Sequence, residues 1–147
     1  MVGLQKYAGD ASRRRRSTPK LAVHNTALAS AVAGRTLEDT RADPEAWGRS
    51  VEAAVGAHLL GRARLDHGAV YYWRTRVRGF NVEVDYVTVR GPEVTAIEVK
   101  SGATIGSLEG LAAFREAFGP SVVTALVGTG GVPVEEFLSQ ETTLAQR

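Results

Sequence analysis

Cysteine is absent from the 147-residue chain, which excludes disulfides and thiolate zinc sites and leaves the redox compartment open. No apolar run approaches the ~20 residues that a membrane-spanning helix needs. The first residues also lack the apolar stretch of a secretory signal, so a cytoplasmic location with no membrane partner is expected. Neither Ser101-Gly102 nor Thr129-Gly130-Gly131 matches a phosphate-cradling P-loop. The chain is therefore not expected to be an ATPase itself. His24, His58 and His67 show no metal-ligand spacing, and no internal repeat is present.

What charge there is lies unevenly. The formal net charge is +2, yet residues 1–20 hold Lys6, Arg13, Arg14, Arg15, Arg16 and Lys20 against Asp10 alone. Six cations less one anion put +5 in that segment and leave −3 for the other 127 residues. Residues 1–18 read as a basic arm, and the run Arg13 to Arg16 suits either a solvated linker or a contact with nucleic-acid phosphates. Residues 19–140, with 44% hydrophobic content across the chain, read as a single domain, followed by a frayed tail at 141–147.

Within that domain, Lys20 to His24 reads as a short strand and Thr26 to Ala33 as an alanine-rich helix that Gly34 ends. Residues 35–43 read as a connector. Asp43 is a fitting N-cap and Pro44 a fitting first-turn residue for a helix through Val51, Val55 and Leu59 to Arg62. Val70 to Thr75 reads as a strand, with Gly79 turning the chain into the next. A helix capped by Ser107 should run to Phe118, and the apolar run Val122 to Val127 suits a strand covered on both faces. A short helix is expected within residues 133–139. The order predicts an α/β fold with a mixed sheet flanked by helices.

The chemistry concentrates in two adjacent runs, Val82 to Val89 and Val94 to Lys100, joined by a turn at Gly91-Pro92. A hairpin symmetric about that turn sets Asp85 opposite Glu98 and Glu83 opposite Lys100, with paired Cβ atoms about 4.5–5.5 Å apart. Two carboxylates so close repel unless a cation intervenes, which a sheet built only for stability would avoid. On the helix from Pro44, Glu52 has Gly48 and Gly56 four residues away on each side, so backbone rather than bulky side chains flanks it. The plainer reading of the same residues is a polar network. In it Glu83 pairs with Lys100, Asp85 is met by Arg74 or Arg76, and the glycines only seat the helix on the sheet.

Helical Glu52, Asp85 on the second strand and Glu98-Val99-Lys100 on the third resemble the PD-(D/E)XK nuclease core of type II restriction enzymes and archaeal Holliday-junction resolvases. Residues 18–139 more narrowly resemble the uncharacterised C-terminal domain that follows the ATPase module in prokaryotic AAA+ proteins. Pro19-Lys20-Leu21, Asn25 to Leu28, Trp47 to Glu52, Tyr72-Trp73-Arg74, Glu83-Val84-Asp85 and Ala96 to Gly102 carry that likeness. The strand beginning at Lys20 often ends in Asp there, where this chain has Asn25.

The resemblance implies a restriction-endonuclease-like α-β-β-β-α-β core and metal-dependent hydrolysis of DNA phosphodiesters by an endonuclease or resolvase-like enzyme. Asp85, Glu98, the Val99 backbone carbonyl and Glu52 would hold Mg²⁺ or Mn²⁺, oxygen donors being what hard cations take. Lys100 would orient a water or stabilise the transition state. DNA, an ATPase domain or partner, and a second copy of the chain are the partners implied. Arg49 and Arg115 are further candidates for the nucleic-acid backbone, alongside Arg13 to Arg16. The alternative is a catalytically inactive DNA-binding or regulatory domain of an ATPase.

Overall fold

A computed structural model of the chain describes residues 1–9 and 18–139. Arg13 to Arg16 and the tail at 141–147 fall outside the described residues. Strands β1 (Val2–Leu4) and β2 (Lys20–Ala22) pair antiparallel, with Leu4 opposite Lys20. Helices α1 (Thr26–Ala33), α2 (Leu37–Ala42) and α3 (Pro44–Leu65) follow. The chain continues as β3 (Ala69–Val77), β4 (Phe80–Arg90), β5 (Glu93–Lys100), α4 (Glu109–Phe118), β6 (Val123–Gly128) and α5 (Val134–Ser139). From α3 onward this is the expected α-β-β-β-α-β order. It forms a mixed four-stranded sheet in the order β3-β4-β5-β6, antiparallel except that β6 runs parallel to β5. Among the described residues no helix is long and apolar enough to cross a membrane.

Local signals account for the helices. The Asp43 carboxylate accepts the N–H groups of Glu45 and Ala46, both at 3.1 Å, while Pro44 fills the first turn of α3. Asn25 caps α1, and Gly34 closes it in the left-handed region at φ 65°. The expected connector at 35–43 instead contains α2. Its start is a capping box in which Thr36 accepts from the Asp39 N–H while the Asp39 carboxylate accepts from Thr36.

Two apolar layers clamp the sheet. Val55 and Leu59 of α3 and Phe137 of α5 pack with Tyr86, Ile97 and Val127. Leu111 and Phe114 of α4 pack with Trp73, Val84 and Val87. Each side chain so buried contributes about 1.5–3 kcal/mol relative to exposure. β5 lies between the layers and is buried without interruption from Thr95 to Glu98. β6 was expected to be covered on both faces, but it is the sheet's edge and exposes Thr124.

Residues 1–9, read from the sequence as the start of a basic arm, contribute β1, and Leu4 is buried with Ala22 in the first layer. The Tyr7 N–H donates to the Tyr72 carbonyl at 2.7 Å and the Tyr72 N–H to the Gln5 carbonyl at 3.2 Å. The Tyr72 hydroxyl donates to the Thr18 carbonyl at 2.6 Å. The segment leading into Lys20 is thereby fastened to β3.

Candidate active site

The β4–β5 hairpin keeps the register expected from its turn as far as Tyr86 opposite Ile97. One step further the ladder ends, and the Val99 N–H donates to Asp85 Oδ2 at 2.9 Å instead of to backbone. On the other side of β4 the register slips, with Tyr71 opposite Val87 but Trp73 opposite Val84. Tyr72 alone therefore spans Asp85 and Tyr86. This is a β-bulge, a device that re-aims side chains and is common beside active sites. The alternation read from Val82 to Val89 is broken at that point, because one strand advances three residues while its neighbour advances two.

The bulge and the broken ladder gather carboxylates around a cation that sequence reasoning did not place there. Lys20 Nζ lies 2.7 Å from Glu52 Oε1, 3.1 Å from Glu83 Oε1 and 3.7 Å from Asp85 Oδ1. It also stands over the Tyr86 ring, 5.5 Å from the centroid. Tyr86 braces the opposite wall by donating its hydroxyl to the Glu52 carbonyl at 2.9 Å. That approach depends on Gly56, where a Cβ would fall 2.3 Å from the Tyr86 oxygen. Gly48 is less constrained, since a Cβ there would meet only Ser101 Oγ at 3.5 Å. The only local sign of Lys20 is the pattern Lys20-Leu21-Ala22, in which an exposed leucine alternates with inward lysine and alanine.

Glu83 and Lys100 do not form the cross-strand pair that strict symmetry implies. Glu83 is gripped by Arg74, whose Nε donates at 2.8 Å, and by Lys20. Gly110, at the start of α4, lies against the Glu83 carbonyl so closely that a Cβ there would fall 2.0 Å from the oxygen. Lys100 instead donates to Glu98 Oε1 at 2.7 Å. Glu98 is 7% exposed, and its Oε2 is buried without a hydrogen-bond partner among the described residues. Arg74 meets Glu83 rather than Asp85.

These surroundings set the protonation chemistry. Burial, followed by the nearby Glu52 and Glu98 charges, pushes the Asp85 carboxyl up to about 7 against the opposing pull of the Val99 N–H and Lys20. Burial also raises Glu98, which Lys100 only partly offsets. Burial works against the charged form of Lys20, but Glu52, Asp85 and Glu83 outweigh it and hold the ammonium above the ordinary lysine range. Glu83 goes the other way, because Arg74 and Lys20 overcome the cost of its burial and keep it below the ordinary range.

Glu52, Asp85 and Glu98 carry oxygen donors of the kind that Mg²⁺ and Mn²⁺ take, and Glu98 Oε2 is buried without a hydrogen-bond partner among the described residues. As the side chains stand, no group of three or more His, Cys, Asp or Glu among the described residues is arranged to hold a metal ion. Lys20 supplies the positive charge there. Arg49 pairs with Glu45 and lines a pocket with Lys20, Glu52 and Tyr86. Arg115 is exposed on α4.

One family model, described as a domain of unknown function (DUF4143), matches residues 47–140. The match includes Glu52, Asp85, Glu98 and Lys100, whereas Lys20 and the β1–β2 pair precede it. No curated protein and no solved structure matches the chain.

Proposed function

The chain belongs to the DUF4143 family, and we propose that it is a metal-dependent nuclease of the PD-(D/E)XK type that hydrolyses DNA phosphodiesters. The observation that carries this reading is the gathering of Glu52, Asp85 and Glu98, from a helix and two adjacent strands, with Glu52 and Asp85 beside the Lys20 ammonium and Glu98 bonded by Lys100 two residues on. Burial and the neighbouring carboxylates hold Asp85 and Glu98 above the ordinary carboxylate range, a cost that a functional site accepts and a purely structural sheet does not need.

Asp85, Glu98, Glu52 and the Val99 carbonyl would hold Mg²⁺ or Mn²⁺. When bound, the ion would supply charge neutralisation at a phosphate and a more acidic water. Glu52 is held in place by Tyr86 through its own carbonyl, and Asp85 by the Val99 N–H. Lys100 keeps its ammonium beside Glu98, where it orients a nucleophilic water or offsets charge developing on a phosphoryl oxygen. An AAA+ ATPase, attached or separate, would supply the motor for a domain of this kind.

A second reading draws on Lys20. An ammonium already seated among three carboxylates suits a catalytically inactive DNA-binding or regulatory domain. Incubation with linear, branched and single-stranded DNA in Mg²⁺ or Mn²⁺, beside Glu98→Ala and Lys100→Ala, separates the two. Cleavage that requires metal and both side chains supports the nuclease, and absence of cleavage, or cleavage surviving both substitutions, sinks it.

A further inference from the structure

The tip of the β3–β4 hairpin projects beyond both apolar layers and carries charge of one sign only. Arg76, Val77, Arg78, Gly79, Phe80 and Asn81 are all exposed, Phe80 by 75%. No acidic residue occurs from Arg74 to Val82. The side chains of Arg76 and Arg78 make no ion pair or hydrogen bond among the described residues.

Register places these groups relative to the carboxylates. Arg74 pairs with Glu83 across the strands and Arg76 with Asn81 two residues nearer the tip. Side chains two apart on a strand share a face, so Arg76 and Asn81 prolong the face on which Glu83 reaches Lys20. The face that ends at the acidic cluster thus begins at an exposed arginine whose side chain has no partner among the described residues.

The turn carries a second, independent observation. Arg78 and Gly79 both have positive φ, at 49° and 88°, as a two-residue hairpin turn of the tightest kind requires. Glycine takes that conformation freely and asparagine tolerates it, but another L-residue there costs about 1–2 kcal/mol. Glycine fills the position at φ 88°, and the arginine stands at the first position in the left-handed region, with its residue exposed to solvent.

Resting on the nuclease reading above, we propose that this hairpin is the arm that grips the DNA strand entering the site. Arg76 and Arg78 bind successive backbone phosphates, and Phe80, on the opposite face of the ribbon from Arg76, stacks on an unpaired base at the tip. Guanidinium groups suit phosphate, and an exposed ring stacks on any base without reading sequence. A two-stranded β-ribbon is also narrow enough to lie in a duplex major groove.

The test is fluorescence anisotropy of labelled single-stranded and duplex DNA with the full chain in EDTA, where cleavage does not intervene. The double reversal Arg76→Glu/Arg78→Glu should weaken binding about tenfold or more and lower the salt slope by about two phosphate contacts. Arg76→Lys/Arg78→Lys should retain most of both. Phe80→Ala should weaken single-stranded binding more than duplex binding. Arg90→Glu, an exposed reversal at the other end of β4, serves as control and should leave affinity within about twofold. Circular dichroism verifies that each variant folds. The proposal is overturned if the wild-type chain binds neither DNA, if the double reversal binds as the wild type does, or if Arg90→Glu loses as much. Loss of binding in the hairpin variants without cleavage by the wild type upholds this arm and sinks the nuclease reading. Cleavage dependent on Glu98, with binding indifferent to the hairpin, does the reverse.

Discussion

Lys20 Nζ lies 2.7 Å from the Glu52 carboxylate, joining a strand at the start of the chain to the middle of its longest helix. The contact is partly screened, with side-chain exposures of 24% and 31%, so its worth lies between that of a surface pair and that of a buried one. Replacing the ammonium by an apolar group of similar length leaves Glu52, Glu83 and Asp85 facing one another. Lys20→Met should therefore cost about 1–2 kcal/mol in EDTA. Mn²⁺ should then raise the melting temperature of the variant more than that of the wild type, by ligand linkage. Equal stability in EDTA and equal response to Mn²⁺ would show that Lys20 is not the counter-ion of the cluster.

Asp85 predicts a pH dependence whose sign can be worked out. Its carboxyl is raised in the folded protein from 3.8 to about 7 by burial and by Glu52 and Glu98. A raised folded value means stability that is fully present below the unfolded pKa and is lost as pH climbs through the folded one. In chelator, Asp85→Asn should thus match the wild type near pH 4 and become progressively more stable than it towards pH 8. The ceiling is on the order of 4 kcal/mol, and asparagine keeps an acceptor for the Val99 N–H. Denaturant titrations across that range supply the measurement, and a difference independent of pH would refute the assignment.

Local chemistry was legible in the sequence and long-range packing was not. Asp43 and Pro44 mark the start of α3, and Gly91-Pro92 fixes the hairpin register through Tyr86 and Ile97, because caps and turns act within a few residues. The box at Thr36 and Asp39 was also readable, yet the polar content of residues 35–43 resembled a connector. Lys20 reaches the site only because residues 1–9 pair with β2 and with Tyr72, contacts that no local period encodes. The bulge opposite Tyr72 was hidden for a similar reason. Val84, Tyr86 and Val87 are all buried, but which of them breaks the alternation depends on β3. The error about Lys100 follows directly, since strict symmetry carried past the last true rung hands it Glu83 instead of Glu98.

Two glycines of α3 provide a controlled comparison. Gly61 has open space where a Cβ would go, so Gly61→Ala should stabilise by about 0.5–1 kcal/mol through helix propensity alone. Gly56→Ala gains the same propensity but drives a methyl into Tyr86, whose oxygen lies 2.3 Å from the Cβ position. Overpacking there should turn the gain into a loss of about 1–3 kcal/mol and displace the hydroxyl from the Glu52 carbonyl. Thermal melts of both variants decide the matter, and a Gly56→Ala protein as stable as Gly61→Ala would mean that Tyr86 moves aside freely.

Lys100 and Glu98 should be energetically coupled, and Lys100 and Glu83 should not. Lys100 Nζ bonds Glu98 Oε1 at 2.7 Å, while Glu98 Oε2 has no partner among the described residues. Lys100→Met strips a buried carboxylate of the cation bonded to it, the costly way to break such a pair, whereas adding Glu98→Gln removes the stranded charge. The cycle of these two substitutions should return about 1 kcal/mol or more of coupling. Glu83 spends its oxygens on Arg74 and Lys20, so the cycle of Glu83→Gln with Lys100→Met should be additive within about 0.5 kcal/mol. Denaturant unfolding at pH 7.5 measures both cycles. Reversed magnitudes would restore the symmetric pairing of Glu83 with Lys100 and leave Glu98 without the neighbour on which its proposed role with Lys100 depends.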